Sequence, residues 1–158
     1  MAKTFPPRYR KLRFESLDDV AAEVRRLHEQ GWEALGQWSL GQACHHLSFV
    51  MRSSLDGFPP DVRGPRWLRW IVSATVPVWI NRPIPPGIPL RGGLTALQPP
   101  DRIDEDAAVA ECLALIERLK AEPQRHPSPV AGRLSRSRWD LLHRNHAAHH
   151  LGFLVPRA

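Results

Sequence analysis

The sequence contains few cysteines, and they lie far apart. Cys44 and Cys112 are the only two among 158 residues, and neither belongs to a Cys-x-x-Cys pair. Disulfide-stabilised domains need several cysteines, and thiolate zinc sites need closely spaced ones. The sequence therefore excludes both kinds of protein. We expect Cys44 and Cys112 to be buried thiols in a reducing compartment.

Long hydrophobic runs are also missing. The longest apolar stretch, from Trp67 to Ile80, is interrupted by Arg69 and Pro77. It is shorter than the roughly 20 residues that a transmembrane helix needs. The first residues, MAKTFPPRYRKLRF, lack the apolar core of a secretory signal. We therefore predict no transmembrane segment and a cytoplasmic location.

The sequence has no internal repeat and no glycine-rich phosphate loop, and its composition is that of an ordinary globular chain. Hydrophobic residues make up 42% and charged residues 24%. A length of 158 residues suits one domain, so we predict a single domain over residues 1–158. The net charge of +6 attracts anions to the surface. Because the arginines are scattered rather than aligned on one helix, we expect no specific nucleic-acid partner.

Four segments combine a helix-start signal with helical periodicity. Ser16 and Ser39 each begin a capping-box pattern, and Gly31 and Gly57 follow the last apolar positions as helix stops. A third helix is predicted from DEDAAVAECLALIERLKAEP, which opens with acids, and a fourth from SRSRWDLLHRNHAAHHLGFLVP. The expected core positions are apolar residues at helical spacing: Leu17, Val20, Val24 and Leu27; Leu40, Cys44, Leu47 and Met51; and Leu113, Ile116 and Leu119.

The segment between the second and third helices has a different composition. Residues 81–101 contain six prolines and three glycines, so they cannot form regular structure. Irregular connections of this length are usually functional or disordered, and the apolar residues here favour a packed loop. No convincing strand pattern occurs elsewhere. The sequence therefore predicts an all-α domain, a four-helix bundle with a long Trp- and Pro-rich insertion at residues 64–100.

Half of the eight histidines lie within residues 143–150. A single buried histidine is more often a hydrogen-bonded core residue than a ligand. His146 and His150, however, are four residues apart on an apolar side, where two imidazoles can reach the same ion. A shared metal would satisfy several buried nitrogens, each of which costs roughly 1–3 kcal/mol when unsatisfied. On the helical wheel this side carries Trp139, Leu142, His143, His146, His150, Phe153 and Leu154, with His149 on the flank and Ala147 and Ala148 elsewhere.

A third ligand is expected from the second helix. His46 lies at the edge of the apolar arc of that helix and can turn inward, whereas His45 points toward solvent. Three imidazoles with an open position are typical of a catalytic metal site. The predicted metal ligands are therefore His46, His146 and His150. His143, one turn earlier, could be a fourth ligand, an outer-shell partner or a general base.

Two motifs resemble the DinB/YfiT-like superfamily of metalloenzymes. GQWSLGQACHHL has a Trp-Ser helix start with a histidine eight residues after the Trp, and HAAHHLGFL supplies the spaced histidines of the last helix. The stretches RKLRFESLDDV, HHLSFVMRSSLDGFP and SPVAGRLSRSRWDLLHRNHAAHHLGFLVP resemble a bacterial domain family of unknown function within that superfamily. The resemblance runs over nearly the whole chain.

The resemblance implies a four-helix bundle that binds a divalent ion through His46, His146 and His150. Zinc or nickel is the expected metal, with iron and manganese as alternatives. Some members of the superfamily resemble thiol transferases that use low-molecular-weight thiols, and others look like hydrolases or isomerases. Many members follow the last ligand with Arg-Gly-Gln, whereas here His150 is followed by Leu-Gly-Phe.

Two hypotheses about function follow. In the first, a metal-dependent enzyme, the ion would polarise a water or the thiol of a small-molecule substrate, and His143 would accept the proton. The insertion would cover the site, and Arg69, Arg82 or Arg91 would bind an anionic part of the substrate. In the second, the chain is a non-catalytic metal-binding or packed bundle that acts through protein association, including a homodimer formed through the Trp-rich stretch.

Overall fold

The predicted helices are present in a computed structural model of the chain, which describes residues 9–62, 70–72, 74, 75, 78, 80–84, 95 and 97–157. We number the long helices α1, Leu17–Gln30; α2, Leu40–Asp56; α3, Glu105–Ala121; and α4, Arg136–Leu151. Each begins after a residue whose side chain accepts a hydrogen bond from a backbone N–H of the first turn. These capping residues are Ser16, Ser39, Asp104 and Ser135.

Both predicted capping boxes are confirmed. Ser16 accepts from the backbone N–H of Asp19, whose carboxylate accepts from the N–H of Ser16 at 2.8 Å. Ser39 and Gln42 form the same reciprocal pair in α2. The glycine that follows each of these helices has a positive φ, 74° after α1 and 102° after α2, a conformation that side-chain-bearing residues rarely adopt. The predicted starts and stops of α1 and α2 therefore have the expected physical cause.

All four helices contribute to one apolar core. α1, α2 and α3 pack their predicted apolar positions against one another, and α2 contacts α3 most extensively. Cys44 and Cys112 lie in this core as free, fully buried thiols, as predicted. Burying side chains of leucine size contributes about 1.5–3 kcal/mol each, so this core is a large source of stabilisation. The described part of the chain is mostly helical.

Two short strands were not predicted from the sequence. β1, Trp32–Ala34, pairs antiparallel with β2, Leu154–Pro156. Each strand has three residues, which is too short to show an alternating pattern. The prediction of an all-α chain is therefore corrected to a mostly helical chain with a two-stranded sheet. The sheet ties the segment after α1 to the segment after α4.

Helix α4 is buried on two sides. Ala147 and Leu151 pack into the core shared with the other helices, and another side packs against a smaller cluster around Ile80. The helical wheel was wrong in placing Ala147 outside the buried side, because it allowed α4 only one apolar face. It was also wrong in extending the helix through Phe153 and Leu154. The helix ends at Leu151, since the chain then turns into β2.

Most of the predicted insertion, residues 64–100, lies outside the described residues. Arg69 and Arg91 are undescribed, whereas Arg82 is described and exposed. The packed loop and its cover over the site therefore remain predictions. Within the described ranges, no helix has both the length and the apolar character required to cross a bilayer.

Candidate metal centre

The three histidines predicted as ligands meet between α2 and α4. Nε2 of His146 lies 3.0 Å from Nε2 of His46 and 3.0 Å from Nε2 of His150. The ring planes are inclined to one another by 62–76°, so nitrogen-bearing edges converge and the ring faces do not stack. His46 is buried, and the other two are half-buried. The fold thus brings together a side chain of α2 and two of α4 that are 100 or more positions later in the chain.

The main chain determines which nitrogen of His46 carries the proton. Nδ1 of His46 lies 2.7 Å from the carbonyl oxygen of Leu97. A carbonyl oxygen can only accept, so Nδ1 donates and Nε2 carries the lone pair. That lone pair is directed at His146. A metal-ligating histidine is usually held in this way, by a hydrogen bond from its other ring nitrogen.

Burial keeps the three imidazoles neutral. It lowers the pKa of His46 and holds the pKa values of His146 and His150 well below the ordinary 6.5. Repulsion between the neighbouring imidazoles lowers these values further, because each added charge would face another histidine. Neutral imidazole is the form that binds a metal ion. The group therefore presents lone pairs at neutral pH.

Trp38 packs against the same group. This residue precedes the N-cap of α2, and its ring lies parallel to that of His150, with centroids 4.9 Å apart and an angle of 10°. It also contacts the ring of His46 at 5.0 Å. Aromatic contacts of this kind restrict ring rotation. Trp38 therefore orients one ligand candidate from each helix.

The donor set fits a divalent transition metal. Imidazole nitrogens suit zinc, copper, iron and nickel, whereas calcium and magnesium prefer oxygen. Zinc binds imidazole at about 2.0–2.1 Å, so two nitrogens on one zinc ion lie roughly 3 Å apart. The separations from His146 Nε2 to the other two Nε2 atoms are 3.0 Å. His46, His146 and His150 could therefore hold a metal ion.

His143 lies one turn before this group and has different partners. Ser54 on α2 donates its hydroxyl hydrogen to the carbonyl of Met51 at 2.7 Å, so its oxygen accepts from Nε2–H of His143 at 3.0 Å. Trp139 stacks on the ring at 5.2 Å. Burial lowers the pKa of His143 to about 3, and Nδ1 has no hydrogen-bond partner among the described residues. His143 is therefore a neutral core residue whose Nε2 is already engaged.

The remaining histidines of these two helices lie beside the group. His45 is half-buried on α2. His149, expected on the flank of α4, donates from Nδ1 to the carbonyl of Ile84 at 3.1 Å, and its ring meets that of His150 edge-on. Sequence reasoning missed three groups that position the histidines: the indole of Trp38, the carbonyl of Leu97 and the hydroxyl of Ser54. Of these three groups, only the indole of Trp38 had a signal in the sequence, which was the Trp-Ser helix start.

Comparison with known proteins adds a family. Residues 7–157 match the family described as "Protein of unknown function (DUF1569)". No curated protein and no solved structure matches the chain. Because the family match spans nearly the whole length, the chain belongs to this family of unknown function.

Proposed function

We propose that the chain binds one divalent metal ion through Nε2 of His46, His146 and His150. The observation that carries this proposal is the convergence of three neutral imidazole nitrogens, one of them with its lone pair fixed by the Leu97 carbonyl. Zinc or nickel suits this all-nitrogen set best, and iron and manganese are the alternatives.

We further propose that the chain is a metal-dependent enzyme of the DinB-like type, built as a four-helix bundle. A divalent ion held by three imidazoles supplies a Lewis acid that lowers the pKa of a coordinated water or thiol. The protein itself supplies orientation: Leu97 and Trp38 hold His46, and Trp38 also holds His150. Three protein ligands leave room for a small-molecule substrate, which is the usual distinction between catalytic and structural sites. Thiol transfer and hydrolysis both fit this chemistry.

The role of His143 as general base remains a prediction, and its surroundings weigh against it. With a pKa of about 3, the imidazole is a poor proton acceptor at neutral pH, and protonation would bury an unpaired charge. Its Nε2 is occupied by Ser54. We therefore favour a supporting role, in which His143 fixes the rotation of α4 against α2. The small-molecule substrate, the cytoplasmic location and the anion-binding role of Arg82 also remain predictions.

Metal analysis of protein purified without a histidine tag tests the proposal. After loading with zinc, nickel, iron or manganese, the wild type is expected to retain about one ion per chain. His46→Ala, His146→Ala and His150→Ala should each lose it. His126→Ala is the matched control, because His126 is exposed and lies outside the group. A wild-type protein that stays metal-free under all four loadings would falsify the proposal.

A non-catalytic module that acts through protein association is the second candidate. It is favoured by the exposure of Trp70, Ile71 and Val78, which are 78%, 50% and 61% accessible. Exposed large apolar side chains close together in sequence are common at association surfaces. Sedimentation velocity on wild type and Trp70→Ser tests this candidate. Association that depends on Trp70 supports it, and a monomer at all concentrations rejects self-association.

A further inference from the structure

The helical segment around Ala74 has an exposed apolar side. Residues 70–72, 74, 75 and 78 are helical, and among them only Val72 is half-buried. The other five side chains are exposed and recur four residues apart, so successive members lie one turn from each other on the same side of a helix. We call this surface the apolar stripe; its members are Trp70, Ile71, Ala74, Thr75 and Val78.

The apolar stripe needs no polar partner. Thr75 carries its only hydroxyl, and Thr75 Oγ1 donates back to the main-chain carbonyl of Ile71 at 2.9 Å. Trp70 is the largest member and is 78% exposed. Because an indole has an apolar body and one polar N–H, tryptophan is enriched at membrane–water interfaces.

Other residues anchor the segment to the protein. Val72 and the buried Ile80 pack against leucines of α4 and of the chain just before it, which are Leu134, Leu141 and Leu142. Asn145 on α4 also donates from Nδ2 to the carbonyl of Ile80 at 2.7 Å. Val72 and Ile80 thus hold the segment against α4, while the members of the apolar stripe remain in solvent.

The same packing brings exposed arginines near the segment. One lies two residues after Ile80, one directly precedes Leu134, and one lies a turn before Leu142 on α4. None of the three forms an ion pair with a carboxylate among the described residues, so their charges are available to an anionic partner. We call these residues the basic margin: Arg82, Arg133 and Arg138.

The two stretches of sequence that meet here contain no acidic residue. None of the 16 aspartates and glutamates of the chain lies in residues 62–100 or in residues 123–139. The formally charged residues of both stretches are all arginines. A surface that carries the basic margin therefore attracts anions.

We propose that the apolar stripe and the basic margin dock the protein on the surface of an anionic phospholipid membrane. An amphipathic surface helix lays its apolar side into the boundary between headgroups and acyl chains, and nearby basic side chains bind the lipid phosphates. The segment would lie on the membrane without crossing it. No metal ion takes part, so this docking is independent of the proposed function.

A second copy of the chain or a nucleic acid fits this surface less well. Each chain carries a net charge of +6, so two stripes facing each other would bring two basic margins together. Five residues are also few beside the roughly 20–30 per side of a stable protein interface. A nucleic acid matches the charge, but only Trp70 in the stripe offers a ring on which a base can stack. A lipid surface matches both the charge and the apolar character.

Co-sedimentation of the full chain with vesicles tests the proposal. The vesicles contain phosphatidylcholine alone or with about one quarter phosphatidylglycerol, at roughly 0.1 M NaCl. The partition coefficient of the wild type should be at least about tenfold higher for the anionic vesicles. A chelator should leave this ratio unchanged. Equal partition into both kinds of vesicle, or into neither, would overturn the inference.

Ile71→Ser tests the apolar stripe, with Leu35→Ser as its matched control. Both variants remove one exposed aliphatic side chain, 50% and 38% accessible, but Leu35 lies outside the stripe. Ile71→Ser should weaken binding to anionic vesicles about threefold, and Trp70→Ser about tenfold. Leu35→Ser should bind like the wild type, and circular dichroism checks that all three are folded. Unchanged binding in both stripe variants would leave charge as the only cause and overturn the inference.

Arg133→Gln tests the basic margin, with Arg25→Gln as its matched control. Each removes one exposed arginine and lowers the net charge equally, but Arg25 lies on α1, which contributes no described residue to the cluster around Ile80. Arg133→Gln should weaken binding about fivefold, and Arg25→Gln less than about twofold. Equal losses would indicate diffuse attraction by net charge and contradict docking through this surface.

Two further results would assign the apolar stripe to another partner. If vesicles are not bound and sedimentation velocity shows a dimer that is lost in Trp70→Ser, the partner is a second copy. If vesicles are not bound and a single-stranded oligonucleotide binds in a Trp70-dependent way, the partner is a nucleic acid. Either result overturns membrane docking and leaves the metal site untouched.

Discussion

His143 and His146 lie one turn apart on α4, and their partners make them chemically different. His143 donates from Nε2 to Ser54, whereas His146 faces the Nε2 atoms of His46 and His150. Both environments are buried enough to keep the imidazoles neutral. The difference lies in which nitrogen is left free. Nε2 of His143 is used by a hydroxyl, and Nε2 of His46 is available because a carbonyl holds Nδ1.

In both places the neighbouring polar group determines which ring nitrogen of the buried histidine carries the proton. A hydroxyl whose own proton is taken by Met51 can only accept, so it draws the imidazole proton to Nε2. A carbonyl beside Nδ1 draws the proton to the opposite nitrogen of His46. His143 and His146 are the same residue type and lie one turn apart on α4, so residue type and spacing do not distinguish them.

The largest expected effect is on metal affinity, in which the His146 and His143 variants should differ. His146→Gln should weaken zinc binding by more than the roughly 10–100-fold that loss of an outer-shell partner costs, because it removes the proposed ligand at the centre of the group. His143→Gln should change the dissociation constant by less than threefold, since Gln can still donate to Ser54. Competition titration with a chromophoric chelator measures both. Equal losses in the two variants would place His143 in the metal site and refute the comparison.

The opposite order is expected for stability without metal. In the presence of a chelator, His143→Ala should lower the free energy of unfolding by roughly 2–4 kcal/mol, because it leaves a cavity beside Trp139 and removes the hydrogen bond that the Ser54 oxygen accepts. His146→Ala should cost less than about 1 kcal/mol, because it also removes an imidazole crowded by two others. Urea unfolding followed by circular dichroism measures the difference. A larger loss at His146 than at His143 would contradict the assigned roles.

The sequence was sufficient for those features that depend on local spacing. Capping residues and apolar periodicity predicted α1 and α2 with their stops, and the four-residue spacing predicted that His146 and His150 share a face. The helical wheel also turned His46 inward, and its nitrogen is found beside theirs. Each of these features is determined within a few turns of helix, so the sequence pattern contains them.

Features that depend on distant packing could not be predicted. The Leu97 carbonyl lies 51 positions from His46, and the Ser54 hydroxyl lies 89 positions from His143. No spacing rule reaches that far. The helical wheel missed the second buried side of α4 because it allowed only one apolar face, and a small residue such as Ala147 contributes little to an apolar pattern. The two strands escaped because three residues cannot show a period.

The third prediction concerns pH. The folded-state pKa of His143 is about 3, below its ordinary value of 6.5, so the unfolded chain binds more protons between these values. Stability from this residue is therefore present above pH 6.5 and is lost as pH falls toward 3. With chelator present, the wild type should lose about 2 kcal/mol more than His143→Gln between pH 7 and pH 5. The other histidines are present in both proteins, so their contributions to the pH dependence of stability cancel.

The same pH series also tests whether His143 is sealed from solvent. If His143 were exposed to solvent through local opening, its folded pKa would lie near 6.5 and the two unfolding curves would run parallel with pH. Parallel curves would remove the basis for treating His143 as a sealed core residue. If the free energies of unfolding of the wild type and His143→Gln converge as pH falls, the result supports a neutral, buried His143.

The smallest expected effect concerns Trp38, whose ring contacts two of the proposed ligands, His46 and His150. Removing this ring takes away the stack on His150 and leaves the nitrogen donors in place. Trp38→Leu should weaken zinc binding by about two- to threefold, and Trp38→Phe, which keeps an aromatic face, should bind like the wild type. The chelator competition titration measures both variants. A loss in Trp38→Phe as large as that in Trp38→Leu would mean that stacking is not the cause. Neither Trp38 variant should change the packing of His143, because the ring that stacks on His143 is that of Trp139.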